Sequence, residues 1–147
     1  MIDEIEVVPQ IFSIDIENKG IIKKANISFN NGLNIIIGKN GSGKTTCIKE
    51  IENQSKWVKT LDELKNTFAA GEKIMFSYLG LAGTQISMNA CFLIDNDDFG
   101  RLDKNKLEKT LKGLAESKNQ IIITMNSVVE IPNIKANIID TDSFDLN

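Results

Sequence analysis

Histidine is absent from this sequence of 147 residues. Its absence excludes a histidine general base, Ser-His-Asp triads and zinc sites that contain histidine. The two cysteines, Cys47 and Cys91, are too few and too far apart in sequence for a zinc cluster or a disulfide framework. Cys91 stands in an apolar run, so we expect it to be a small core residue.

Long apolar runs and a strong charge of either sign are also absent. No apolar stretch approaches the roughly 18 residues that a membrane-spanning helix needs, and the acidic start of the chain is not a secretory signal. The net charge of −3 gives no support to broad nucleic-acid binding, because that binding relies on lysine and arginine to neutralise phosphates. The sequence predicts a cytoplasmic protein without a membrane span, for which contact with nucleic acid is possible only through a partner.

The length is typical of one domain, and the apolar pattern predicts an α/β protein. Strands are predicted at residues 11–17, 21–29, 33–37, 91–95, 121–124 and 137–140, and helices at residues 45–54, 61–65, 72–79 and 104–117. Strands that alternate with helices favour a parallel core. The first two strands are expected to form an antiparallel pair that adds a flanking sheet.

A phosphate-binding pattern follows the strand at residues 33–37. Its residues are Gly38, Lys39, Asn40, Gly41, Ser42, Gly43, Lys44 and Thr45, which match G-x-x-x-x-G-K-[S/T] in full. The glycines let backbone N–H groups point inward, and the helix that follows adds the positive end of its dipole. Lys44 can reach the β- and γ-phosphates, and the Thr45 hydroxyl can bind Mg²⁺.

Asp95 is the second residue with a predicted role in chemistry, since it ends the apolar run at residues 91–94. P-loop proteins need a carboxylate at the end of a neighbouring strand to hold Mg²⁺. Alone, such an aspartate more simply caps a loop. Together with a complete phosphate loop, it is predicted to be a magnesium ligand alongside Thr45.

These motifs resemble those of a known family. The loop from Gly38 to Thr46 resembles that of ABC-type ATPases, and residues 14–36 resemble the N-terminal lobe of the SMC/RecF-like branch. Later segments follow in the family's order: Leu93–Asp95 resembles the Walker B strand, Gly100–Asp103 the D-loop, and Gln120–Thr124 the strand that leads to the switch residue.

The resemblance implies a P-loop NTPase fold, an ABC/SMC-like head with a mixed sheet, N-terminal antiparallel strands and a parallel core flanked by helices. It implies one ATP-binding domain over residues 1–147, with ATP and Mg²⁺ as cofactors. The nucleotide would be held by Gly38, Asn40, Gly41, Ser42, Gly43, Lys44, Thr45 and Thr46, and the metal by Thr45 and Asp95.

Departures from the family concern hydrolysis. Asn96 stands where the family has a glutamate that orients the attacking water, and an asparagine can hydrogen-bond a water but cannot accept its proton. Asp97, one position later, is the alternative catalytic residue. The family's switch histidine corresponds to Asn126. These changes favour nucleotide binding with slow or absent turnover.

The signature motif has two candidate positions. Residues 81–85 end only ten positions before Asp95, which leaves no room for the helix that the family places between them. Residues 68–73 match better, with Ala69 in place of the signature serine. The match at Gly71-Glu72 is equally well explained as an ordinary helix start.

The distance between motifs is short, since Gly71 follows Lys44 by only 27 positions. That distance leaves no room for the family's helical subdomain or coiled coil. The resemblance then implies a nucleotide-dependent dimerisation switch, which pairs with its own copy or with a heterologous ABC-like partner.

Three other functions remain open. A nucleotide kinase needs several arginines to neutralise the transferring phosphates, whereas Arg101 is the single arginine here. A transporter ATPase subunit is disfavoured by the missing helical subdomain and the lack of a convincing Q-loop. A pure interaction module that has kept the fold and lost turnover is the extreme case of the switch.

Overall fold

The computed structural model describes residues 5–39, 41–55, 59–60, 90–95, 103–116, 119–126 and 134–147. In chain order its elements are β1 (Ile5–Pro9), β2 (Ser13–Lys19), β3 (Ile22–Ser28), β4 (Leu33–Ile37), α1 (Lys44–Gln54), β5 (Lys59–Thr60), β6 (Ala90–Ile94), α2 (Lys104–Glu116), β7 (Gln120–Met125), β8 (Ala136–Asp140), a 3₁₀ turn (Thr141–Ser143) and β9 (Asp145–Leu146). The helices predicted at residues 61–65 and 72–79 lie outside the described residues.

The larger sheet is mixed and has the strand order β5-β1-β6-β7-β4-β8. Strands β6, β7, β4 and β8 are parallel to one another, which confirms the predicted parallel core. On one side of this core, β1 pairs with β6 in antiparallel orientation, and β5 pairs with β1 in antiparallel orientation. Neither of these two strands was expected from the apolar pattern.

The strand β7 lies between β4 and β6, with Ile37 opposite Met125 and Ile94 opposite Ile123. The expectation that the strand before Asp95 directly neighbours the strand before the phosphate loop is therefore wrong. One further strand separates them, and its carboxyl end is placed between the two predicted parts of the site. Strand order depends on how the connections cross the sheet, which residue spacing does not encode.

The smaller sheet has the order β2-β3-β9 and is antiparallel throughout. The predicted pairing of the first two strands is confirmed. Four apolar residues of the predicted second strand, at residues 21–29, are buried: Ile22, Ala25, Ile27 and Phe29. The third strand, β9, comes from the last residues of the chain and brings the C-terminus back to β3.

Helix α1 lies between the two sheets. Its buried residues Cys47, Ile48 and Ile51 belong to one apolar cluster with Ile36 and Leu93 of the larger sheet. The same cluster contains the inward residues of the smaller sheet: Ile14, Ile16, Ile22, Ala25 and Ile27. Each fully buried isoleucine stabilises the fold by roughly 1.5–3 kcal/mol, so this cluster holds the helix firmly in place.

Helix α2 covers the opposite face of the larger sheet. Its leucines Leu107, Leu111 and Leu114 are buried against inward residues such as Phe92 and Ile123. They repeat at the spacing of one helical face, as the sequence predicted. Because β4, β6 and β7 are covered on both faces, they are apolar almost throughout.

Two buried amides join the sheets and their turns. The Gln120 side chain accepts a hydrogen bond from Ile11 N (3.0 Å) and donates to Ile11 O (2.5 Å) and Asn30 O (2.9 Å). The Asn34 amide donates to Asn30 O and Gly32 O, both at 3.1 Å, and to Ile121 O at 3.2 Å. These side chains satisfy backbone groups that would otherwise be buried without partners.

Candidate functional site

The loop between β4 and α1 is a compact turn. Its backbone is fixed by Gly38 N, which donates to Met125 O at 3.1 Å, and by Ser42 N, which donates to Lys39 O at 3.1 Å. Gly41 (φ 79°) and Gly43 (φ 105°) adopt left-handed conformations that residues with a Cβ rarely adopt. Two of the predicted glycine positions therefore carry the conformational role that the pattern assigns to them.

Helix α1 begins directly after this turn. Gly43 occupies its N-cap position and offers no side-chain cap, and the first turn contains no acidic residue. The first N–H groups of a helix have no partner within the helix, and the helix dipole makes this end positive. The end of α1 at the loop thus has the electrostatics of an anion-binding site.

The Lys44 ammonium group is held by acceptors of the loop and of β7. Lys44 Nζ donates to Gly38 O at 2.6 Å and to Met125 O at 3.5 Å, and it also contacts Asn126 Oδ1. The residue is 8% exposed. These three acceptors are neutral oxygens, and an anionic phosphate oxygen forms a stronger hydrogen bond with an ammonium group than a neutral oxygen does.

Two buried hydroxyl groups converge on Gly38. A Cβ added to Gly38 would lie 2.2 Å from Thr141 Oγ1 and 2.3 Å from Ser42 Oγ, so only glycine fits there. Within the described residues, neither oxygen has a hydrogen-bond partner. A buried hydroxyl without a partner costs free energy, and Ser42 belongs to the loop that is predicted to bind phosphate. The residues present therefore fit a polar ligand.

A cleft of about 220 Å³ joins the loop to Asp95. It is lined by Ile21, Gly41, Gly43, Lys44, Thr45, Thr46 and Asp95. The predicted magnesium ligands Thr45 and Asp95 thus share one cleft with the predicted phosphate ligand Lys44. Ligand pockets for whole small molecules measure about 300–1,000 Å³, so this cleft has the size of a phosphate chain rather than of a complete nucleotide.

The Asp95 side chain accepts a hydrogen bond from the neighbouring strand β7. Thr124 Oγ1 donates a hydrogen bond of 2.8 Å to Asp95 Oδ1. The described residues contain no group of three or more histidine, cysteine, aspartate or glutamate side chains that could hold a metal ion. A hydroxyl and one carboxylate nevertheless fit Mg²⁺, which takes few protein ligands and otherwise keeps waters and phosphate oxygens.

A pair of carboxyl groups lies between α1 and β1. Burial raises the pKa of Glu52 to about 7, and the neighbouring Glu6 and Asp95 add to the increase, while Lys49 opposes it. Glu6 Oε2 is buried and lacks a hydrogen-bond partner among the described residues. A hydrogen bond between the two side chains favours the protonated form of Glu52 and so helps to raise its pKa.

The thiol groups of Cys47 and Cys91 have low reactivity at neutral pH. Burial raises the pKa of Cys47 to about 12 and also raises that of Cys91. Thiolate, the reactive form, is then scarce at neutral pH. The prediction that Cys91 is a core residue is confirmed, since it is fully buried in the cluster around α1.

Several predicted site residues lie outside the described residues: Asn40 of the loop, the candidate catalytic residues Asn96 and Asp97, both segments proposed as signature motif, and the D-loop segment except for its last residue, Asp103. Two residues that the motifs did not predict also lie beside the loop and Asp95. Thr124 and Thr141 stand at the ends of strands beside the loop, and only the pairing of those strands brings them there.

Comparison with known families gives a match over part of the chain. A family model described as an AAA domain matches residues 13–53, which contain β2, β3, β4, the loop and most of α1. This segment is similar to an AAA domain. The match indicates a P-loop ATPase-like segment with a nucleotide-binding function. A search of curated proteins found no match to the chain. Among the helices that the structure describes, none is both long and apolar enough to cross a membrane.

Proposed function

We propose that this chain is an ABC/SMC-like domain that binds Mg²⁺–ATP and acts as a nucleotide-dependent dimerisation switch with weak or slow ATP hydrolysis. One observation supports the nucleotide-binding part. The first residues of α1, which has no side-chain cap, line a single cleft of phosphate-chain size together with Asp95, and these first residues include Lys44 and Thr45.

Each group has a role that its chemistry supports. The backbone N–H groups of Gly41 to Lys44 and the Lys44 ammonium group would hold the phosphate oxygens, while Ser42 supplies a buried hydroxyl that has no partner among the described residues. Thr45 and Asp95 would hold Mg²⁺, which when bound neutralises part of the phosphate charge. The apolar side chain of Ile21 lines the same cleft.

The slow-hydrolysis part of the proposal is supported by the sequence. Asn96 follows Asp95 at the position where ABC-type ATPases carry a glutamate, and an amide cannot accept a proton from water. Asp97 is the remaining candidate for that role. The dimerisation part rests on the resemblance to ABC-type ATPases, as do the single domain over residues 1–147 and the choice of ATP. The compartment stays a prediction of the sequence.

Binding of ATP with Mg²⁺ by isothermal titration calorimetry tests the first part. Lys44→Ala removes charged hydrogen bonds worth about 1.5–3 kcal/mol each, so we expect ATP affinity to fall by about 100-fold or more. Lys49→Ala is the matched control, because Lys49 is an exposed lysine on the same helix. Equal affinity in Lys44→Ala and the unmodified protein would refute the phosphate-loop assignment.

Size-exclusion chromatography with light scattering tests the second part. With Mg²⁺–ATP we expect the molar mass of a dimer, and without nucleotide that of a monomer. Lys44→Ala should stay monomeric under both conditions. A protein that binds ATP by calorimetry and stays monomeric contradicts the homodimer and leaves a heterologous partner.

A further inference from the structure

We propose that Thr124 is the positioning residue for the magnesium ligand Asp95, in that its hydroxyl fixes the orientation in which the Asp95 carboxylate meets the metal. This inference rests on the proposed function, because it assigns a role within the same site. It adds to the site a residue from β7 that belongs to neither the phosphate loop nor the strand before Asp95.

The geometry places the two side chains side by side. In the parallel pairing of β6 with β7, Ile94 lies opposite Ile123, so the next residues along, Asp95 and Thr124, are also neighbours. Thr124 Oγ1 donates to Asp95 Oδ1 over 2.8 Å. Both residues lie on the α1 side of the sheet, because Leu93 and Ile122, two positions earlier in each strand, belong to the cluster around α1.

The Thr124 side chain places a hydroxyl group at a buried position of a mostly apolar strand. Thr124 is 3% exposed and follows three consecutive isoleucines in β7. An isosteric valine would avoid the cost of burying a hydroxyl at this position. Asp95, by contrast, is exposed at the end of its strand. An exposed carboxylate loses rotamer freedom when it binds a metal, and a hydrogen bond from a fixed, buried donor reduces that loss beforehand.

The hydrogen bond also leaves the carboxylate able to bind a metal. An ionised carboxylate has about four lone-pair sites on two oxygens, and the bond from Thr124 uses one of them. Partners that orient metal-binding carboxylates in this way are worth about 10- to 100-fold in metal affinity when removed. The expected signature is therefore a weaker contribution of Mg²⁺ to nucleotide binding, with no change in binding of the metal-free nucleotide.

The test measures ATP affinity by calorimetry twice for each variant, once with saturating Mg²⁺ and once with EDTA in its place. The dissociation constant in EDTA divided by the dissociation constant with Mg²⁺ reports how strongly the metal contributes to binding. Thr124→Val should reduce this ratio about 10-fold and leave the affinity in EDTA unchanged. Thr124→Ser keeps the hydroxyl and should retain the ratio. Asp95→Asn sets the lower limit expected when the ligand itself is lost.

Thr124→Ala is a second variant without the hydroxyl, and thermal unfolding of each variant checks the fold. Both hydroxyl-free variants must lower the ratio for the proposal to stand. An unchanged ratio in either folded variant refutes the role of Thr124, and so does an equal loss of affinity in EDTA. If the unmodified protein binds no ATP under either condition, the proposed function itself fails, which is a different outcome.

Discussion

Replacing Gly38 by alanine tests how tightly the phosphate loop fits against its surroundings. The new Cβ would lie 2.2 Å from Thr141 Oγ1, 2.3 Å from Ser42 Oγ and 3.0 Å from Thr141 Cγ2, distances that cannot persist. Either the loop or the turn after β8 has to move. Overpacking of this kind costs about 1–3 kcal/mol of unfolding free energy, and we expect about 2 kcal/mol here because two neighbours clash at once.

Urea unfolding followed by circular dichroism measures this cost. The expected loss corresponds to a melting temperature lowered by roughly 6 °C for a domain of this size. The clash is with side chains, so it can be relieved: in a background of Ser42→Ala and Thr141→Ala, we expect Gly38→Ala to cost less than about 1 kcal/mol. The background itself breaks no hydrogen bond of the described residues, since both hydroxyl oxygens lack partners there.

Gly41→Ala serves as the comparison. A Cβ at Gly41 would meet nothing within 4 Å, but the residue has φ of 79°. Its replacement should therefore cost about 1–2 kcal/mol of backbone strain, and the double-alanine background should not relieve this cost. A Gly38→Ala protein as stable as the unmodified one, or one whose loss persists in full in the background, would refute the described packing of the loop.

Two further predictions concern the carboxyl pair and the buried amides. Because the pKa of Glu52 is raised from 4.5 to about 7 in the folded protein, the folded state binds more protons than the unfolded state in this interval, and stability falls as the pH rises from about 4.5 to 7. Glu52→Gln should flatten that fall in unfolding experiments across this range, whereas Glu17→Gln, at an exposed position of β2, should leave it intact. Equal pH profiles for Glu52→Gln and the unmodified protein would contradict the raised pKa of Glu52. Gln120→Met keeps the size of the side chain but removes the hydrogen-bond partner of Ile11 N, Ile11 O and Asn30 O. We expect this substitution to lower the unfolding free energy by about 2–4 kcal/mol. Gln54→Met, which removes an exposed amide bonded to Asp15 O, should cost less than about 1 kcal/mol, and similar losses from the two variants would disprove the cross-linking role of Gln120.

The local sequence pattern was sufficient to predict the strands and helices that bury a regular apolar face. The strand at residues 33–37 and the leucines of α2 follow directly from spacing, and so does the turn between β4 and α1. Strand β1 was not predicted, because Glu6 and Pro9 interrupt its apolar residues and its pairing with β6 supplies what the local sequence lacks. The strands β5 and β9 have two residues each, which is too short for a recognisable sequence pattern. They are defined by their hydrogen-bonded pairing with β1 and β3.

The site was predictable where one continuous segment builds it. The loop and the start of α1 are encoded in consecutive residues, and Asp95 was expected near them, although not two strands away. The contacts of Thr124 with Asp95 and of Thr141 with the loop depend on strand order and register, which no short pattern records. Gln120 and Asn34 lie in strands of otherwise apolar character, and their role appears only when the turns they bond are in place.

The carboxyl end of β7 contacts both halves of the cleft through three successive residues. Thr124 bonds Asp95, while Met125 O and Asn126 Oδ1 accept from Lys44, and Met125 O also receives Gly38 N. The end of β7 is therefore a physical link between the two halves of the cleft. Where a ligand in one half changes affinity in the other, thermodynamic linkage requires the two changes to be equal. Metal affinity measured with and without nucleotide should change by the same factor as nucleotide affinity measured with and without metal.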